Sequence, residues 1–210
     1  MRPAHEGANR AEPGGLAGSR GGPELDFAVD SAGVMEYAAA PTLRFSLRVT
    51  NRAGEPVRNV ALATQIRIAA AKRSYDPATQ SRLVELFGEP HRWGSTVHSL
   101  FWVQVMLLVP AFAGSTIVEL PVPCTYDMDV AATRYFHGLI DGEVPLEFFF
   151  SGTVFYTSGS GALQTSRIAL DREATYRLPV SVWREMMAHY FPNSAWLRVS
   201  KELFERLHAY

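Results

Sequence analysis

Leu43, Phe45, Leu47 and Val49 alternate with Arg44, Ser46, Arg48 and Thr50. A period of two places the apolar four on one face of an extended chain and the polar four on the other, which no helix does. The segment is therefore a strand with one face in a core, and that core needs a second layer to cover it. The signal recurs along the chain. Val60, Leu62, Ile66 and Ile68, with Thr64 among them, describe a second strand. Between the two runs, Asn51-Arg52-Ala53-Gly54-Glu55-Pro56 supplies residues that tolerate positive φ and a proline that blocks ladder extension, so the pair reads as an antiparallel hairpin. Phe27 and Val29 predict a further edge strand upstream. Leu100–Val109 and Ser115–Val122 flank a Pro110–Gly114 turn and read as a second hairpin. Apolar residues on both faces of its first strand predict a central position in a sheet or a covered sheet there.

Leu146–Tyr156, which contains Phe148-Phe149-Phe150, is a strongly aromatic strand. Ala162–Leu170 pairs back after the 157–161 loop, and Ala174–Leu178 supplies a last strand. Helical spacing enters at three places. Asp76-Pro77 opens a short helix, because Asp accepts from orphan amides and Pro fits the first helical position, and Gly88 ends it. Met128, Ala132, Tyr135, Phe136 and Leu139 recur at helical spacing after a start capped by Thr125 or Asp127. Beyond Pro179, Val182, Met186 and Tyr190 form one stripe and Trp183, Met187 and Phe191 its neighbour, with Pro192 as the stop. A final helix begins at Ser200, with Leu203, Phe204 and Leu207 inward. The fold class is β-rich α+β: an antiparallel, immunoglobulin-like β-sandwich or a curved sheet, with short inserted helices and a C-terminal helical segment.

Composition narrows the function classes. With 210 residues, of which 47% are hydrophobic and 20% charged, the chain can bury a core without disulfides or a structural metal. Residues 1–23 hold one large aliphatic side chain, Leu16, and read as a disordered tail, leaving 24–210 as a single domain with C-terminal helices over 180–210. A net charge of -1 removes the electrostatic argument for a nucleic-acid partner. The longest apolar run, Leu100–Val109, contains Gln104 and stops at Pro110, too short to span a bilayer. The expected compartment is the cytoplasm, and no cofactor is expected.

Cys124 is the one cysteine. Ahead of a helix start its thiolate would be stabilised by the helix dipole, and with His98 or His137 as base it would be the nucleophile of a small enzyme. The competing reading is a small buried hydrophobe. The histidines lack ligand spacing, so no metal site is expected. Asp127 and Asp129 read as capping residues, and Asp141 with Glu143 as a turn. Neither a phosphate loop nor a serine-hydrolase elbow occurs. The aromatic strand 146–156 is a candidate wall for an apolar ligand pocket. Trp183, Met186, Met187, Trp196 and Phe204 are the candidate contacts for a protein partner, the competing reading being that they pack against the sheet.

Four phrases carry a family likeness: Leu120-Pro121-Val122-Pro123-Cys124-Thr125-Tyr126-Asp127, Asp141-Gly142-Glu143-Val144-Pro145-Leu146, Phe150-Ser151-Gly152-Thr153-Val154-Phe155-Tyr156, and Tyr190-Phe191-Pro192-Asn193-Ser194-Ala195-Trp196-Leu197. Across residues 25–207 the chain resembles an uncharacterised bacterial family encoded beside high-affinity uptake nickel–iron hydrogenases. The resemblance implies an accessory, maturation or assembly role and transfers no catalytic residue. Together these readings favour a non-catalytic interaction protein over an enzyme or an apolar-ligand module.

Overall fold

The computed structural model describes residues 22–124, 130–192 and 201–208. The strands are β1 (Leu25–Val34), β2 (Thr42–Asn51), β3 (Val57–Ile68), β4 (Leu100–Val109), β5 (Ser115–Pro123), β6 (Glu143–Thr157), β7 (Leu163–Arg167) and β8 (Glu173–Pro179). All pairings are antiparallel. One sheet has the order β1-β2-β5, and the other runs β4-β3-β6, with β7 and β8 both on the far side of β6. β7 pairs with Thr153–Thr157 and β8 with Glu143–Phe149, so the two are lengths of one strand interrupted at residues 168–172. The ladder runs past the interruption, because Ile168 N donates to Gly152 O (3.1 Å) and Phe150 N to Arg172 O (2.9 Å). Counting β7 and β8 as one gives three strands facing four, the layout of an immunoglobulin-like sandwich.

Neither expected hairpin forms. β2 and β3 lie in different sheets, as do β4 and β5, so each connection crosses the sandwich. The two crossings are knitted together: Val57 and Phe112 exchange backbone hydrogen bonds of 3.0 Å, Asn51 N donates to Gly114 O (2.7 Å), and Asn51 Nδ2 donates to Glu55 O (2.7 Å). Turn chemistry fixes where the chain reverses. Whether it returns in the same sheet or the facing one depends on distant pairings, here β2 with β5 and β3 with β6, which local residues do not encode. The β6–β7 connection is a true hairpin, closed by Ser158 N donating to Ala162 O (2.9 Å).

The alternation seen at Leu43–Val49 becomes the core of the smaller sheet, with all four apolar side chains fully buried. They meet Val60, Leu62, Ile66 and Ile68 of β3 and Phe148 and Phe150 of β6, while Phe149 points to the opposite, outer face. The helices are α1 (Pro77–Phe87), α2 (Trp93–Thr96), α3 (Val130–Gly138), α4 (Val180–Tyr190) and α5 (Lys201–His208). α1 and α2 lie in the β3–β4 link, α3 in the β5–β6 link, and α4 follows β8 directly. These links all leave from one end of the sandwich, so α1, α3 and α4 cap that end rather than covering a sheet face. Asp76 caps α1 as expected, accepting from Ala78 N (2.9 Å), Thr79 N (3.0 Å) and Thr79 Oγ1 (2.6 Å), and Gly88 ends it at φ +77°. α1 approaches α3 closely enough that a Cβ on Gly138 would sit 2.5 Å from Leu83 Cδ2. Buried Tyr135 on α3 bonds Tyr75 hydroxyl-to-hydroxyl (2.8 Å), and Tyr75 in turn donates to Ala70 O (2.7 Å). Burial raises the pKa of both phenols and keeps them neutral donors. The expected caps at Thr125 and Asp127, the 1–23 tail except its last two residues, and the helix start at Ser200 lie outside the described residues.

Gly152 is held at φ +142°, and a Cβ there would lie 2.0 Å from the carbonyl oxygen of Ala61 on β3. Gly152→Ala is expected to lower unfolding free energy by about 3 kcal/mol in urea titration, since neither backbone can yield. Thr64 is fully buried and its hydroxyl has no hydrogen-bond partner. Thr64→Val is expected to leave stability unchanged or raise it by about 1 kcal/mol in the same measurement.

Candidate binding groove

The sandwich is open on the side where β4 and β5 face each other. Trp102–Met106 form one wall and Pro121, Pro123 and Cys124 the other, with Thr133 and Phe136 of α3 and Trp183 of α4 at the end. The enclosed volume is about 280 Å³ and its lining is predominantly apolar. Trp102 reaches it because the β3–β4 register slips between Ile66 and Arg67, which adds a residue to β4 and turns the indole inward. Phe136 stacks on Trp183 with centroids 5.3 Å apart and meets Trp102 at 5.2 Å. Three aromatic rings from a strand and two helices thus form the rigid end of the groove.

Cys124 follows β5, its amide donating to Pro41 O (2.7 Å) and its thiol to Val122 O (3.3 Å). Burial pushes the thiol up to about 12, opposite to what a nucleophile needs. The two imidazoles considered as bases are elsewhere. His98 is exposed after α2, and His137 sets its ring edge against Trp183 (4.7 Å), where burial lowers its pKa. Neither lines the groove. Among the described residues, no group of three or more His, Cys, Asp or Glu is placed to hold a metal ion.

The candidate contact residues separate. Met186 is fully buried and Trp183 nearly so, as the packing reading has it, because α4 turns both onto the sandwich end. Trp183 borders the groove. Met187 is half-buried against the core, Phe204 on α5 is half-exposed, and Trp196 lies outside the described residues. The aromatic strand 146–156 does not wall the groove. Its inward side chains fill the core, and its outward ones belong to a different surface.

That surface is the outer face of the larger sheet, which no helix among the described residues covers. Phe101, Met106 and Leu108 of β4, Ala61 and Ala63 of β3, Phe149 and Phe155 of β6 and Leu163 of β7 share it by register. Leu170, in the interruption between β7 and β8, lies over the same face beside Phe149 and Ser151. Leu170 is 96% exposed and Met106 78%. Polar side chains are interleaved with these, since Gln65, Gln104, Ser151 and Thr153 share the face by register, as do Arg167 and Glu173 along its β7–β8 side. Arg67 sits over the Phe149 ring at 5.1 Å and Lys72 pairs with Glu147 (2.7 Å). The outer face of the smaller sheet is its opposite, carrying the ion pairs Arg44–Glu119 (2.9 Å) and Arg48–Asp30 (2.6 Å). The sequence signal for the apolar face was the two-sided run at 100–109. Leu170 carried none, since a lone leucine beyond a strand has no period.

The fold and surfaces define an immunoglobulin-like sandwich with a helical cap at one end. The chain belongs to DUF6084, a family of unknown function, whose model matches residues 22–210. None of the curated proteins matches the sequence. Among solved structures, the chain is similar to the CARDB domain of the PF1109 protein from Pyrococcus furiosus, determined in complex with di-metal ions, at 8% identity and a TM-score of 0.28 over 75% of this chain and 92% of that one. It is also similar to β-glucosidase 3B from Thermotoga neapolitana, at 12% identity and a TM-score of 0.27, over 74% of this chain and 17% of that one. Likenesses at this level carry nothing about activity or ligands.

The buried thiol has a measurable pH signature. The unfolded thiol ionises near 9 and the folded one near 12, so its contribution to stability is complete below pH 9 and is lost as pH rises toward 12. Cys124→Ala is expected to flatten that part of the stability profile. At pH 7.5 the native thiol is expected to react with iodoacetamide at least about tenfold more slowly than the denatured one, because burial disfavours the thiolate.

Proposed function

We propose that this protein is a cytoplasmic accessory interaction module that works by presenting a surface, and that the assembly it serves is a nickel–iron hydrogenase. The observation that carries the interaction role is the apolar outer face of the larger sheet. Exposed apolar patches of this kind on a sandwich otherwise edged with ion pairs mark contact sites. The hydrogenase context rests on the four sequence phrases alone. A membrane-embedded role is not part of this reading, and no helix among the described residues is long and apolar enough to cross a bilayer.

A second reading is favoured by the groove: an apolar small molecule of modest size lying in it against the end formed by Trp102, Phe136 and Trp183. Native mass spectrometry of the freshly purified chain tests it, with loss of a bound mass in Phe136→Ala as the expected outcome. The nucleophile reading loses support from the raised thiol pKa and the remote imidazoles.

The interaction reading is tested in the host strain by deletion and complementation, with hydrogenase activity as the readout. Wild type and Cys124→Ala are expected to restore activity fully. Leu170→Asp, which alters only an exposed position, is expected to restore less than a tenth of it. Full rescue by Leu170→Asp, or failure of Cys124→Ala, would overturn this assignment.

A further inference from the structure

Edge strands invite pairing with other chains, and natural proteins blunt them with charges, prolines or bulges. Three edges of this molecule are blunted. β1 carries Asp26 and Asp30 and a bulge between Val29 and Ser31. β5 carries Glu119, Pro121 and Pro123. The β7–β8 edge carries Arg167, Glu173 and Arg177 and is interrupted midway.

β4 is different. Its ten residues, Leu-Phe-Trp-Val-Gln-Val-Met-Leu-Leu-Val, contain no charge and no proline, and Gln104 is their one polar side chain. Among the described residues, no backbone hydrogen bond reaches β4 from the side away from β3. Its side chains are also incompletely buried on both faces. Phe101, Met106 and Leu108 are exposed outward, and Val103, Val105 and Leu107 remain half-buried inward along the open side of the sandwich.

We propose that β4 pairs antiparallel with β4 of a second copy of this chain, joining the two larger sheets across a two-fold axis. Charge selects the second copy as the occupant. An uncharged strand set against itself about a two-fold brings no like charges together, whereas any other edge of the molecule would bring Asp, Glu or Arg against this apolar row. Ten residues at about 3.4 Å each offer about 34 Å of ladder. Side chains of the partner strand would then flank both rows, continuing the outward one side by side and packing against the edge of the half-buried inward one. The inward row of the partner lies over the mouth of the groove, so the site described above is closed only in the dimer. Pairing also removes the one unprotected edge, which limits assembly to two copies.

Analytical ultracentrifugation of the purified full chain in reducing buffer, from about 1 to 100 μM, tests this directly. A monomer–dimer equilibrium is expected, with Met106→Lys weakening it at least tenfold and Ile117→Lys on β5 leaving it unchanged. Should Met106→Lys fail to fold by circular dichroism, Leu108→Lys serves in its place. Hydrogen exchange supplies the edge-specific readout, since alternate amides of 103–108 are expected to gain protection with concentration. A wild-type monomer at 100 μM, oligomers beyond two, or a dimer indifferent to both lysine variants would overturn the proposal. The test needs no partner protein, and Leu170 lies off β4, so this inference and the hydrogenase reading fail independently.

Discussion

Phe45 joins the two sheets. It is fully buried on β2, and its ring meets Phe148 of β6 at 5.3 Å, Tyr176 of β8 at 6.0 Å and Trp102 of β4 at 6.5 Å, each in an edge-to-face arrangement. One side chain of the smaller sheet thereby touches three strands of the larger one. Edge-to-face geometry is the favoured approach for aromatic rings, and each such contact adds to the area already removed from water. The helical cap extends the same cluster, because Trp102 passes the contact on to Phe136 and through it to Trp183. Core and groove are continuous, and the groove is as rigid as the core that ends in it.

A second tie holds the opposite side of the sandwich. Arg172, in the interruption between β7 and β8, pairs with Glu24 (2.8 Å) and Asp26 (2.9 Å) at the start of β1, and Asp26 also pairs with Arg52. Partly exposed ion pairs contribute little individually. Their placement matters more, since they bridge the sheets where β1 and β8 meet, whereas the β4–β5 side has prolines and apolar walls. The molecule is closed by polar contacts along one side and left open and apolar along the other. Its functional readings follow that asymmetry.

The sequence was legible wherever a local pattern met a local outcome. The alternation at 43–49, the cap at Asp76, the helical stripe around Tyr135 and Phe136, and the strand at 146–156 all appear as expected. The hairpins did not, because 51–56 and 110–114 specify a reversal and leave its plane to strands some seventy residues away, such as the pair joined by Arg44 and Glu119. The two-sided apolar run at 100–109 was read as a central or covered strand, yet β4 is an edge strand, since which strand lies outermost depends on distant pairings, and the helices gather at the sandwich end, where their flanking strands terminate. Trp183 and Met186 were visible on neighbouring stripes, and a stripe alone does not say whether it faces inward or outward. The groove was illegible for a related reason. Its walls come from four separated segments, and the slip that turns Trp102 inward is a property of the β3–β4 register.

The paired crossings at 52–56 and 110–114 also govern how the chain is made. Because both carry it from one sheet to the other, β2 does not pair with β3 nor β4 with β5, and β2 finds its outer partner only in β5. As the nascent chain emerges, the first fifty residues can form one two-stranded ribbon and little else. The smaller sheet stays incomplete until Pro123 has cleared the ribosome, and the larger waits for β6. A topology dominated by such distant pairings folds slowly, so its apolar strands spend longer uncovered during synthesis than those of a protein built from local ribbons.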